Sequence, residues 1–166
     1  MAQTVVRAIS VRRPYDEVAA FVTDPHCVLA AIPGFARFAF IGDAPGVPGG
    51  EHWDVFLEVG TFHVGGRVVV TKPSVNRLEW YSVRGTHQEL SLVVEPLGDR
   101  ARLTMTLRYA LQGLVVSRVS ELIAKGLVTR HVEAGLQQVR HQLEFGDFEV
   151  EPGRKRPSRR TGSLDD

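Results

Sequence analysis

Six histidines and one cysteine are the chain's readiest sources of chemistry, and their spacing sets how much of it is available. Cys27 stands alone, which leaves no partner for an internal disulfide and no Cys-rich metal site. His131 and His141 fall about 280° apart around a helix and do not converge. No His-Glu-x-x-His run and no paired Cys/His spacing occurs, so no metal is expected. Neither a Gly-x-Ser-x-Gly elbow nor a phosphate-cradling loop is present, and no cofactor is expected. For acid–base work this leaves His131 and Tyr109 as the catalytic candidates. His63 drops out because strand pairing sets it opposite Glu58 on the solvent side. Two titratable groups are thin for catalysis, and a histidine at the edge of a helix face is more often packed than reactive.

His131 belongs to the stretch Val115–Phe145, the one run long enough for a multi-turn helix. Its apolar positions form two groups. Val115, Val116, Val119, Leu122 and Ile123 share one face; Val128, Val132, Gly135, Leu136, Val139 and Leu143 share another, rotated by roughly half a turn. The change falls at Gly126, which predicts a short lead-in helix, a kink or break near Gly126, and a main helix to about Phe145 lying across a sheet. Gly135 sits mid-face, where a missing side chain either lets the backbone touch the sheet or leaves a hollow.

Everything before Ala110 reads as strands with short interruptions. Thr4–Val11 is a first strand. Pro14 opens a short helix that Asp24-Pro25 stops, and His26–Ala31 adds a turn or two before Ile32-Pro33-Gly34. Ala36–Ile41 is the next strand. Around a two-residue turn at Gly60-Thr61, Trp53 pairs with Val68, Leu57 with Val64 and Val59 with Phe62 on an apolar face, while Asp54–Arg67 and Glu58–His63 form opposite-charge pairs on the other. Gly65-Gly66, mid-strand, marks a bulge or close packing. Leu78–Arg84 and Gln88–Glu95 follow; a three-residue loop, Gly85-Thr86-His87, sets Trp80 beside Leu92 and Ser82 beside Leu90. Ala101–Leu111 alternates, with Leu103, Met105, Leu107 and Tyr109 facing in, and Glu95 meets Arg102. This order is α+β: a curved antiparallel sheet wrapped around a long C-terminal helix.

Composition adds bounds. Hydrophobic residues make up 43% and charged residues 23% of the 166, ordinary for a soluble one-domain globular protein. With no signal-like segment and no apolar run of membrane-spanning length, the expected location is cytoplasmic. The expected division is a folded domain over 1–146 and a disordered basic tail over 147–166. The tail's Arg154, Lys155, Arg156, Arg159 and Arg160 outnumber Glu151, Asp165 and Asp166. That tail offers at most a weak contact with an anionic membrane. Net charge is +1, and the body carries no nucleic-acid footprint. Oligomeric state has no signature in the sequence.

Val11-Arg12-Arg13-Pro14-Tyr15-Asp16-Glu17-Val18, Asp24-Pro25, Ile32-Pro33-Gly34, Asn76-Arg77-Leu78 and Leu136 to Leu143 resemble the helix-grip fold of the SRPBCC superfamily, which includes START domains and birch-pollen-allergen-like proteins. The local match is nearest to bacterial polyketide cyclase/dehydrase-like proteins and to the G-type accessory proteins of carbon monoxide dehydrogenase, and spans roughly Thr4–Phe145. The resemblance implies a cavity between sheet and helix that binds a small hydrophobic ligand: a lipid, polyketide or quinone-like molecule. Its walls would be Trp53, Phe62, Trp80, Ser82, Leu92, Met105, Leu107 and Tyr109 from the strands, with Val128, His131, Val132 and Gly135 from the helix. Binding or carrying is the leading expectation. A cyclase/dehydrase-type enzyme is one alternative, and a membrane-associated accessory role, as the carbon monoxide dehydrogenase likeness implies, is the other.

Overall fold

In a computed structural model, residues 2–32, 36–59, 62–110 and 118–146 are described. The chain runs β1 (Gln3–Val11), α1 (Tyr15–Val22), α2 (Pro25–Ala31), β2 (Ala36–Asp43), β3 (Glu51–Val59), β4 (Phe62–Ser74), β5 (Arg77–Gly85), β6 (His87–Leu97), β7 (Arg100–Ala110) and α3 (Arg118–Phe145). The seven strands form one antiparallel sheet in the order β1-β7-β6-β5-β4-β3-β2. It curves around α3, giving the α+β helix-grip architecture. The tail beyond 146 and the segment 111–117 lie outside the described residues.

The local starts and stops follow from residue chemistry. Asp24 closes the space between α1 and α2: its carboxylate accepts from the His26 N–H at 2.9 Å, with Pro25 in the first turn where no N–H is needed. Thr23 ends α1 by donating its hydroxyl to the Ala19 carbonyl. Both short helices turn apolar sides to the sheet, and Val18, Val22 and Val28 are fully buried.

The β3–β4 register is the expected one throughout, from Val59↔Phe62 and Glu58↔His63 to Trp53↔Val68. Asp54 and Arg67 meet as a two-pronged pair at 2.9 and 3.1 Å, and the hydrogen bonds from Arg67 hold the Asp54 carboxyl below its ordinary value. Gly65-Gly66 does mark a close approach with a register shift beside it; a side chain on Gly66 would collide with the Arg84 carbonyl. Glu95 meets Arg102 as expected.

Two expectations need correction. The β5–β6 register is two residues tighter: Trp80 pairs with Leu90 and Leu78 with Leu92, not Trp80 with Leu92. A single residue, Thr86, separates the two strands. Gly85 takes a left-handed φ of 91° and packs against Gly65 and Gly66, so the connection folds more closely than a three-residue loop would. The shift is even, so every side chain keeps its face. The second correction is α3, which runs unbroken through Gly126. Ala124 continues the buried stripe of Val128, Val132, Leu136, Val139 and Leu143, so one axis serves the sheet. The mismatch between faces is resolved by leaving Leu122 and Ile123 71% and 60% exposed. Gly126 faces open space, where it costs the helix only about 1 kcal/mol relative to alanine.

The far end of α3 is fixed by the Arg12-Arg13 pair between β1 and α1. The Arg12 backbone N–H donates to Glu144 Oε1 at 2.8 Å, and Arg13 Nε donates to the Leu143 carbonyl at 2.9 Å, occupying an acceptor that the helix end leaves open. Arg7 and Glu133 pair at 2.8 Å midway along. The hydrogen bond from Arg12 lowers the Glu144 carboxyl below its ordinary value. A depressed carboxyl adds stability above its unfolded-state value and loses it as pH falls through the folded-state value. Glu144→Gln should therefore destabilise by about 1 kcal/mol at neutral pH, with the difference vanishing once the Glu144 carboxyl is protonated in both the folded and the unfolded state. Denaturant unfolding of both proteins from pH 7 downward, together with an NMR titration of the Glu144 carboxyl, checks this; a deficit that stays constant through that titration would show that the charge is not what matters.

Candidate functional site

Between the middle of α3 and the inner face of the sheet lies a narrow apolar cavity. Its helix side is Val128, His131, Val132 and Gly135, and its sheet side is Leu57, Trp80, Leu90, Met105 and Leu107. Ile32 and Phe38 close the edge where α2 gives way to β2. Gly135 leaves the hollow: a Cβ there would meet only Ile32, at 3.9 Å. The space is about 40 Å³. That admits a few water molecules at most and is far below the roughly 300–1,000 Å³ of a typical small-molecule site. A ligand of any size must widen it.

Of the residues expected to line a site, Trp80, Met105, Leu107, Val128, His131, Val132 and Gly135 converge on this space. Leu92 lies deeper in the core, 1% exposed. Ser82 sits one step along β5 from Trp80, where its hydroxyl accepts from the Gln88 N–H at 3.1 Å. Tyr109 is buried one step past Leu107 on β7. Trp53 lies apart under α2: its indole donates to Glu51 at 2.9 Å and its ring packs on His26 and Phe40. The Phe62 side chain falls outside the described residues. Leu90, Leu57, Ile32 and Phe38 join the wall beyond the residues that the sequence points to. Leu90 is concealed by the two-residue difference in register. Leu57 is legible, since it shares the apolar face of the β3–β4 hairpin.

Other titratable groups stand elsewhere. His141 borders a wide polar groove of about 560 Å³ at the end of α3, beside Arg12, Arg140 and Glu144. Cys27 is at the surface, and its thiol is pushed up to about 11 by desolvation and by Asp24, so it is a poor nucleophile near neutral pH. Among the described residues no cluster of His, Cys, Asp and Glu could hold a metal, and no helix is long and apolar enough to cross a membrane.

One helix gripped by a curved antiparallel sheet, with an apolar space between them, places the chain in the START/polyketide cyclase superfamily. The family model for polyketide cyclase/dehydrase and lipid transport matches residues 2–144, and the chain belongs to that family. Solved structures agree on the fold. A Thermus thermophilus protein superposes with a TM-score of 0.73 at 15% identity, covering 85% of this chain and 97% of its own. The Zhui aromatase/cyclase of a Streptomyces species gives 0.72 at 12%, over 86% and 94%. A START superfamily protein from Mycobacterium smegmatis gives 0.62 at 18%, over 84% and 98%. No curated protein matches the chain.

The cavity wall has little charge to work with. His131 is half-buried against apolar neighbours, and desolvation lowers its imidazole below the ordinary 6.5, so the ring is neutral at pH 7. Burial likewise raises the Tyr109 phenol, which stays protonated. Because the folded-state value of His131 is depressed, the neutral ring's contribution to stability is intact above the unfolded-state value and is lost as pH falls through the folded-state one. An NMR titration of the His131 ring should give a midpoint below 6.5. A midpoint at or above that value would mean that the ring is solvated or paired with a carboxylate.

Proposed function

We propose that the protein binds a small hydrophobic molecule between α3 and the inner face of the sheet, and holds or carries it rather than transforming it. The observation that carries this reading is the hollow under Gly135, walled by Trp80, Leu90, Met105, Leu107, Val128 and Val132, all apolar surfaces. Membership of a family of cyclases, dehydrases and lipid carriers supports a ligand-binding or cyclase role in general terms. Entry requires α3 to shift. Its polar ties run to β1 and to the β1–α1 junction through Glu133, Leu143 and Glu144. On the β2–β3 side it meets Phe38 and Leu57, two apolar side chains, across the cavity.

Tetralin, a bicyclic hydrocarbon, is a suitable probe. It should change the tryptophan emission, and Trp80→Phe should remove most of that change, because Trp53 lies away from the cavity. Gly135→Leu should abolish binding by filling the hollow, while Gly135→Ala should retain binding and stabilise the helix by about 1 kcal/mol. No response in the native protein to tetralin or to a long-chain alcohol would leave a filled core and overturn the reading.

The enzyme alternative rests on His131, the titratable side chain in the wall. If a cyclisation or dehydration occurs here, His131→Gln should lower turnover by something like 10²-fold with affinity nearly unchanged. The carrier reading expects no such turnover in the native protein.

A further inference from the structure

The inner face changes character one step beyond the cavity. Leu90 and Leu107, cross-strand partners on β6 and β7, belong to its wall. The next pair on the same face is Gln88 with Tyr109, about 7 Å further along the strands. Gln88 is 0% exposed and Tyr109 2%. Among the described residues, neither the amide oxygen nor the amide nitrogen of Gln88 has a hydrogen-bond partner, and the Tyr109 hydroxyl has none. The indole N–H of Trp80, in the cavity wall beside Leu90, likewise has no partner among the described residues. Thr23, the other buried polar residue among the described residues, is satisfied by the Ala19 carbonyl, while the Ser91 hydroxyl on the opposite face of β6 is a further buried atom with no partner among them.

Buried groups with unmade hydrogen bonds weaken a fold, and leucine in place of Gln88 or phenylalanine in place of Tyr109 would avoid the cost. Three such groups on two adjoining rows of one sheet face, at one end of an apolar cavity, therefore point to a partner that arrives with the ligand. Together they offer donors from Trp80, Gln88 and Tyr109 and acceptors from Gln88 and Tyr109. Among the described residues no lysine or arginine lines the cavity. A carboxylate placed here would stay an uncompensated buried charge unless His131 took up a proton against its own desolvation, whereas a hydroxyl or carbonyl needs only the hydrogen bonds that the row can supply.

We infer that Gln88 and Tyr109, with the Trp80 indole N–H, form the polar end of the ligand site and select a neutral oxygen, as in a phenol, alcohol or ketone, over a carboxylate or plain hydrocarbon. The inference rests on the cavity being a ligand site, as proposed above. It makes Gln88 a specificity determinant that is kept at the expense of stability.

Three probes of one shape separate the terms: toluene, p-cresol and p-toluate, titrated at neutral pH against the full chain and followed by the amide and indole N–H resonances of Gln88 and Trp80. The native protein should bind p-cresol about tenfold more tightly than toluene, with p-toluate weakest. Gln88→Leu and Tyr109→Phe should each remove most of the p-cresol advantage while leaving toluene affinity unchanged or improved. Gln88→Leu should also raise the melting temperature by several degrees; a fall would show that the amide is a structural group and overturn the inference. Toluene binding with no preference for p-cresol, or with a preference that survives both substitutions, would overturn the inference and leave the apolar site standing. If none of the three binds, the cavity reading fails, and the inference fails with it.

Discussion

A seven-stranded sheet with one apolar face has to be covered, and a single 28-residue helix lies against it, chiefly along β1. That constraint orders the molecule. Each Val or Leu of the α3 stripe gains about 1.5–3 kcal/mol by leaving water, so the helix keeps one straight stripe over the sheet even though Leu122 and Ile123 are left exposed. α1 and α2 take the rest of the inner face, α1 mainly against β6. The Arg12-Arg13 pair then fixes where α3 ends, by filling its last acceptors and holding Glu144. With the helix tied down along β1, the contact with the opposite side of the sheet is left to shape, and the shape is incomplete under Gly135.

The two tryptophans show what that incompleteness is about. Trp53, under α2, has its indole satisfied by Glu51 and its ring packed at steep angles against His26 and Phe40, as a structural tryptophan should. Trp80, in the wall of the cavity, has an indole N–H with no partner among the described residues and only Phe38, 6.1 Å away, as an aromatic neighbour. Gln88 and Tyr109 continue the same contrast along the sheet. A domain optimised only for stability would fill the hollow and replace these groups, and the required changes are small.

Much of this is legible in the sequence. The β3–β4 register is the one on which the expected charge pairs and apolar face agree in the sequence, and β7 alternates cleanly, so both follow from period-two patterning. Seven of the twelve expected lining residues converge on the cavity because inward faces can be read from periodicity alone. Three features cannot be read so simply. The β5–β6 register depends on Gly85 packing against Gly65 and Gly66, a tertiary contact invisible to either strand's own pattern. The continuity of α3 depends on the sheet favouring one axis over local apolar grouping. Gln88 is visible as a polar residue in the inward series of Leu90, Leu92 and Val94, but its unmade hydrogen bonds emerge only when the neighbours are in place.

The central claim is that the space between α3 and the sheet opens to an apolar molecule, and intermolecular NOEs from bound tetralin to assigned methyl groups test it most directly. The account predicts cross-peaks to Leu90, Met105, Leu107, Val128 and Val132 together, with chemical-shift changes spreading along α3 as it moves. Cross-peaks confined to exposed residues such as Leu122, Ile123 and Val83, with the cavity methyls unperturbed, would contradict it.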